Sequence, residues 1–399
     1  MYKTESAGGH CNMVIHVVAE GDTVNELAAR YGVTAESIEM LNQLQYPYYL
    51  VVGQALLIEN TVPGEAEESV RRTGRSAYIN GFAYPFISRW VLNATLPYLT
   101  FLSIFSYGFT PDGNLVFPAL DDTFMITAAG EYRTVAALTL TPFGEDGNFN
   151  NNLIHSLLRN EAAVNNLIEQ LKAVMSERGF GALDVDFEFI LPEDRDLFTG
   201  FVARLTEELN PLGFQVFVDL APKTSADQRG LLYEGKDYGG LGAAANGVLL
   251  MTYEWGYAYG PPMAVAPVNQ VRRVVEYALT EIPAYKISLG IPNYGYDWTL
   301  PYVRGGLRAR TIGNVEAVQL AAAYNAVIEF DETAKSPFFF YYLDGVQHVV
   351  WFEDVRSLNA KFDLIEEFGL RGAGYWTIMQ WFQANWTLLN ERFNIIKIK

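Results

Sequence analysis

The sequence predicts an α/β protein: a (β/α)8 TIM barrel with a small α+β insertion, preceded by a small β-α-α-β module. Three observations carry this. Eight short apolar runs lie between residues 77 and 377, and amphipathic stretches separate most of them. Eight strand-then-helix units over such a length are what a closed parallel barrel requires. A compact pattern at residues 14–59 stands apart behind a polar stretch, and 399 residues suit one large domain plus one small module.

Composition narrows the functions. Half of the residues are apolar, 14% are aromatic and 19% are charged, so the chain can bury a large interior and is not disordered. Its 28 basic and 46 acidic residues leave a formal charge of −18. That balance repels phosphate backbones and argues against nucleic acid or anionic lipid as partners, whereas a neutral polysaccharide is indifferent to it. The single cysteine, Cys11, excludes an intrachain disulfide and a cysteine-rich metal site, and four histidines argue against a histidine-built zinc centre. No metal and no cofactor are expected. The first twelve residues hold one lysine and no apolar segment, so no secretory signal peptide is expected. The stretches from Trp90 to Pro111 and from Gly239 to Tyr253 are interrupted or too short for a membrane span. A soluble monomer is the expectation.

The module opens with an apolar strand from Val14 to Val18, followed by Gly21-Asp22-Thr23. Val24, Leu27, Ala28 and Tyr31 then fall at helical spacing, Val33-Thr34 breaks the pattern, and a second helix runs through Ile38 and Leu41. Asp22 or Thr23 is placed to accept hydrogen bonds from the free amides at the helix start, and Gly53 permits the turn before a closing strand that reaches Ile58. This order, with GDT near its start and Val52-Gly53-Gln54-x-Leu56-x-Ile58 at its end, resembles a LysM domain along its whole length. The resemblance implies binding of N-acetylglucosamine polymers such as peptidoglycan and chitin, in a groove between the loops at Gly21 to Asn25 and Asn42 to Leu50. Its candidate contacts are Gly21, Asp22, Thr23, Asn42 and Tyr48, with Tyr46 and Tyr49 as further stacking surfaces. The bland alternative for each is a cap or a turn. Residues 60–77 are mostly polar and read as a linker, which makes the module a tether for the domain at 78–399.

The eight barrel strands are expected at Ala77–Ala83, Leu99–Ser106, Thr134–Leu140, Ala182–Glu188, Phe214–Leu220, Gly247–Tyr253, Lys286–Pro292 and Gly372–Thr377. Helical segments such as Asn151–Ser176, Asp194–Asn210 and Ala266–Glu281 lie between them. The stretch at about 297–350 is longer than a usual crossover and is expected to form an inserted subdomain beside the site.

One strand carries the chemistry. Side chains alternate along a strand, so Asp184, Asp186 and Glu188 share one face of the fourth, while Leu183, Val185, Phe187 and Phe189 share the other. The apolar face suits packing on helices, which turns the three acids into the barrel, stepping toward the C-terminal mouth where enzyme sites of this fold lie. Burying such a column is costly unless some members hold protons or strong hydrogen bonds. The negative charge behind Glu188 is expected to raise its pKa and keep it protonated near neutrality.

This strand end, DxDxE, resembles the signature DxxDxDxE of family 18 glycoside hydrolases, with Gly181 where the family's first aspartate falls. The resemblance implies that Glu188 is the general acid/base, that Asp186 orients the substrate's 2-acetamido group, and that Asp184 tunes Asp186 from below. In this family the substrate's own acetamide oxygen attacks the anomeric carbon, so one outer acid suffices and the cleaved sugar carries an N-acetyl group. Met251-Thr252-Tyr253-Glu254 is similar to the family's MxYD, which gives Tyr253 the acetamide oxygen and Glu254 the sugar hydroxyls. Trp376, at the eighth strand end, matches the tryptophan that floors the cleaved sugar's subsite. Asn80, Tyr84, Tyr107, Asn293 and Tyr294 are weaker substrate-binding candidates, with loop or core packing as the alternative. The stretches around Tyr253-Glu254-Trp255, Pro292 to Trp298 and Trp351 to Asp354 resemble the spore cortex-lytic N-acetylglucosaminidases of the family, which implies peptidoglycan as partner and a place at the spore coat, cortex or cell wall. A chitinase and a catalytically silent glycan-binding lectin are the other readings. The presence of Glu188, Asp186 and Tyr253 favours catalysis.

Overall fold

A computed structural model describes residues 12–47, 49–62, 69–144 and 150–398. Tyr48 and the middle of the expected linker lie outside the described residues. The N-terminal module pairs strand Asn12–Val17 antiparallel with Ala55–Asn60, placing Ile15 opposite Leu57, and packs helices Val24–Tyr31 and Ala35–Leu41 on that hairpin. Thr23 caps the first helix by accepting the Glu26 amide, and Gly32 ends it in the left-handed region at φ 68°. Its core is Val14, Leu27, Ile38, Leu56 and Ile58.

Eight parallel strands close into a ring: Arg75–Ala83, Phe101–Phe109, Val135–Leu140, Ala182–Val185, Gln215–Leu220, Gly247–Leu250, Ile287–Pro292 and Gly372–Trp376, the last pairing back with the first. Outward residues such as Leu183, Val185, Val216 and Val218 are wholly buried beneath helices Glu161–Arg178 and Arg195–Leu209 and their neighbours. Each such side chain contributes about 1.5–3 kcal/mol on burial. At the closed end of the barrel, the Arg371 guanidinium lies 4.2 Å from the Tyr78 ring centroid and 5.2 Å from that of Phe217.

Two ladders are shorter than the residue pattern suggests. The fourth ends at Val185 and the sixth at Leu250, so Asp186, Glu188 and Tyr253 stand beyond them, in irregular chain at the mouth. Past the ladder ends one inter-strand backbone bond survives on each: the Asp186 amide reaches Leu140 O at 3.0 Å and the Met251 amide reaches Leu220 O at 2.9 Å. The first strand begins at Arg75, inside the stretch expected to be linker.

After the seventh strand the chain leaves the barrel to build a five-stranded antiparallel sheet, Gly295–Thr299, Arg310–Ile312, Glu329–Asp331, Ser336–Leu343 and Val346–Trp351, with helix Asn314–Ala323 against it. The N-terminal module is docked on this insertion. Val51 is buried in the insertion's core with Ile312, Ala317, Ile328 and Phe339. Val52 O accepts the Ile328 amide at 2.9 Å, Gly53 O accepts Arg356 at 3.0 Å, and Gln43 Oε1 accepts the Gln383 amide at 2.7 Å. Gly53 is at φ 84°, and a Cβ there would stand 1.8 Å from Ile328 O. Among the described residues no helix is long and apolar enough to cross a membrane.

Candidate active site

The acid column forms as the strand alternation requires. Asp184 is 1% and Asp186 6% exposed, and Glu188 is half-buried nearer the mouth. Asp184 Oδ2 accepts Ser103 Oγ at 2.7 Å and Asn80 Nδ2 at 3.4 Å. Asp219, an inward residue of the fifth strand, is within side-chain hydrogen-bonding reach of Asp184. Two carboxyls bond to each other only when one holds a proton. The Oδ1 atoms of Asp184 and Asp219 have no other donor among the described residues, which leaves them for a proton held between the two carboxyls. Asp184 therefore finds its carboxyl partner on the neighbouring strand. At Gly181 itself a Cβ would already lie 2.7 Å from Val135 Cγ1.

Burial dominates the electrostatics. It lifts Asp184 to about 6, against the hydrogen bonds from Ser103 and Asn80. It raises Asp186 further, helped by the charge of Glu188, and raises Asp219, helped by Asp184 and Asp186. Glu188 is raised too, but for a different reason from the one the sequence suggested. Burial is the main cause, Lys236 opposes it, and the charge that adds to it is Glu254's. Either way the shift is upward, the direction that favours the protonated form.

Tyr253 stands among these acids: burial raises its hydroxyl first, then the charges of Asp219, Asp186, Glu188 and Glu254. Gly290 on the seventh strand makes room for it, since a Cβ there would be 2.8 Å from Tyr253 Cε1. Neither the Tyr253 hydroxyl nor the Glu188 carboxyl is hydrogen-bonded to another described residue, which leaves both for a ligand. Trp376 is half-buried and held edge-on by Phe105 at 5.1 Å and Phe82 at 5.6 Å. Tyr84 packs beside it at 6.1 Å and feels the charge of Asp186. Glu254, at φ 67°, accepts hydrogen bonds from the Tyr294 hydroxyl and from Tyr296 at 2.8 Å.

Several expected ligand contacts have other work. Tyr107 is fully buried and its hydroxyl donates to Asp122 at 2.7 Å, pointing to the helical layer rather than the mouth. A register irregularity between Ile104 and Tyr107 accounts for the difference, since simple alternation from Ser103 and Phe105 would have turned Tyr107 inward. Asn80 bonds Ser103 and Asp184 and so serves the inner column. Asn293 is 3% exposed and spends its amide on Thr377 O and Gln380 O, bracing the turn after Trp376. Tyr294 holds Glu254. In the N-terminal module, Asp22 accepts the Ala19 amide at 2.8 Å and His16 Nε2 at 2.9 Å, Thr23 caps its helix, and Gly21 makes the turn at φ 91°. Asn42 donates to Leu57 O and accepts its amide, both at 2.8 Å. These side chains shape the loops, while the rings of Tyr46 and Tyr49 are exposed. A cavity of about 420 Å³ lies between that loop and the insertion helix, apart from the acid column.

Sequence reasoning missed Asp219, Ser103 and Lys236. An acid at an inward position of Gln215–Leu220 was a visible signal for the first; Lys236 lies in a loop with no pattern to mark it. Among the described residues no group of three or more His, Cys, Asp or Glu side chains is arranged to hold a metal ion.

A closed parallel barrel with a DxDxE column at its mouth defines a glycosidase of known kind. The family model "Glycosyl hydrolases family 18" matches residues 95–380, and the LysM domain model matches residues 16–59. The chain belongs to glycosyl hydrolase family 18 and carries an N-terminal LysM domain. It is 37% identical to the cortical fragment-lytic enzyme of Bacillus subtilis (strain 168), over 96% of this chain and 99% of that one. The crystal structure of the Bacillus cereus spore cortex-lytic enzyme SleL superposes with a TM-score of 0.91 at 34% identity, covering 96% of this chain and 99% of that chain. The Bacillus megaterium QM B1551 spore cortex-lytic enzyme SleL gives 0.90 at 33% identity, covering 98% and 100%.

Proposed function

We propose that this glycoside hydrolase is an N-acetylglucosaminidase that cleaves the β-1,4 bond after N-acetylglucosamine in spore-cortex or cell-wall peptidoglycan. The observation that carries the reading is a half-buried Glu188 at the end of an inward acid column, its carboxyl raised by burial, with the Tyr253 hydroxyl among the same acids. Glu188 gives its proton to the glycosidic oxygen as that bond breaks. The 2-acetamido oxygen attacks the anomeric carbon from the other side, forming an oxazolinium ion. Asp186 holds the acetamide N–H, Tyr253 donates to its oxygen, and Trp376 lies against the ring. Glu188, now ionised, takes a proton from the water that opens the oxazolinium, and configuration is retained. The LysM domain holds the polymer, which gives the enzyme its place at the cortex or wall.

Chitin is the second reading, because the same column and a LysM domain serve any N-acetylglucosamine polymer. Purified spore cortex, vegetative wall and chitin digested in parallel, with mass analysis of the fragments, test the choice. Release of fragments ending in reducing N-acetylglucosamine from cortex, in excess over chitin, is expected. Preferential release of chitooligosaccharides would overturn the substrate assignment.

A further inference from the structure

Glu188 is carried on chain that has left the strand ladder, so something other than sheet bonding must hold it. The structure supplies a buried lysine. Lys236 lies in the loop after the fifth strand and is 0% exposed. Its ammonium donates to the main-chain carbonyl of Phe187, the residue between Asp186 and Glu188, and to that of Asp219 at 3.0 Å. The Phe198 ring, 5.2 Å away, closes the apolar side. A lysine without a carboxylate in direct contact is costly to bury, and here it bonds only carbonyls. Its charge is therefore not spent on one acid. It is shared among Asp186 and Glu188 on the extension of the fourth strand and Asp219 on the fifth. Asp184 below them, Tyr84 after the first strand, and Tyr253 and Glu254 after the sixth are further ionisable groups of the cluster. Lys223, which donates to Lys236 O at 3.1 Å, is a second cation on the same loop.

We propose that Lys236 is the positioning residue of the catalytic column, tying the Glu188 segment to the fifth strand and supplying the positive charge against which the buried acids set their protonation. This rests on Glu188 as the acid. Lys236 opposes the rise of both Asp186 and Glu188, while burial lowers its own pKa to about 8. Removing the charge must therefore let both acids hold protons to higher pH.

The experiment is the pH profile of kcat/KM on a soluble N-acetylglucosamine oligosaccharide for the full chain and for Lys236→Met, which keeps length and removes charge. Both limbs are expected to move up by about one pH unit, with at least a 10-fold lower maximum from the lost ties to the Phe187 and Asp219 carbonyls and unchanged cosedimentation with peptidoglycan. Lys236→Gln, which also removes the charge but keeps an N–H donor for the Phe187 and Asp219 carbonyls, is expected to move the limbs up likewise and serves if Lys236→Met does not fold. Unmoved limbs in a folded, charge-free variant overturn the proposal. If Glu188→Gln were itself fully active, the reading of the site would fail instead.

Discussion

Among single residues, catalysis turns on which groups are free. Tyr253 and Glu188 have no protein hydrogen-bond partner among the described residues, whereas Asp184, Asn80 and Ser103 are bonded to one another. Tyr253→Phe is therefore expected to lower kcat by about 10²-fold, the usual cost of one lost donor to a developing charge, with little change in KM. Asp186→Asn is expected to lose hydrolysis while glycan binding survives. Equilibrium binding and initial rates on the same oligosaccharide check both. The acid column was legible in the sequence because acids at every second position of an apolar strand must share one face, and only a site repays the cost of burying them. Asp22, Thr23, Asn42 and Asn293 were not, because a cap or a loop brace uses the same short polar side chains as a sugar site.

Among the elements, the eight strands were legible from their apolar runs, and their ends were not. Periodicity ran on to Glu188 and Tyr253, but the ladders stop at Val185 and Leu250. Hydrogen bonding to the next strand leaves no mark in one strand's sequence. The fourth and fifth strands together bury Asp184, Asp186 and Asp219, all raised above the ordinary carboxylate range. A group whose folded pKa is raised stabilises the fold below its unfolded value and loses that contribution as pH climbs through the folded one. For Asp184, the window runs from 3.8 to about 6, which corresponds to roughly 3 kcal/mol. Thermal unfolding is expected at a higher midpoint at pH 5 than at pH 8, and Asp184→Asn is expected to narrow the gap. Equal gaps in wild type and variant would contradict this.

Across the molecule, the sequence makes the LysM domain a detachable tether, while the structure seats Val51 in the insertion's core and leaves no room for a side chain at residue 53. Deleting residues 1–60 is therefore expected to lower the melting temperature of the remaining chain as well as its cosedimentation with peptidoglycan, since an apolar socket is opened. A shortened protein that melts like the parent would show that the docking contributes nothing. The net charge of −18 leaves a neutral glycan neither attracted nor repelled at long range. In the proposed mechanism, hydrolysis depends on proton donation by Glu188 to a leaving sugar. That step is tested most directly by muropeptide release from spore-cortex peptidoglycan by full-length Glu188→Gln, followed by mass spectrometry alongside a cosedimentation assay. Release is expected to fall by at least about 10²-fold with binding intact; release at the wild-type rate would contradict the assignment of Glu188 as the acid.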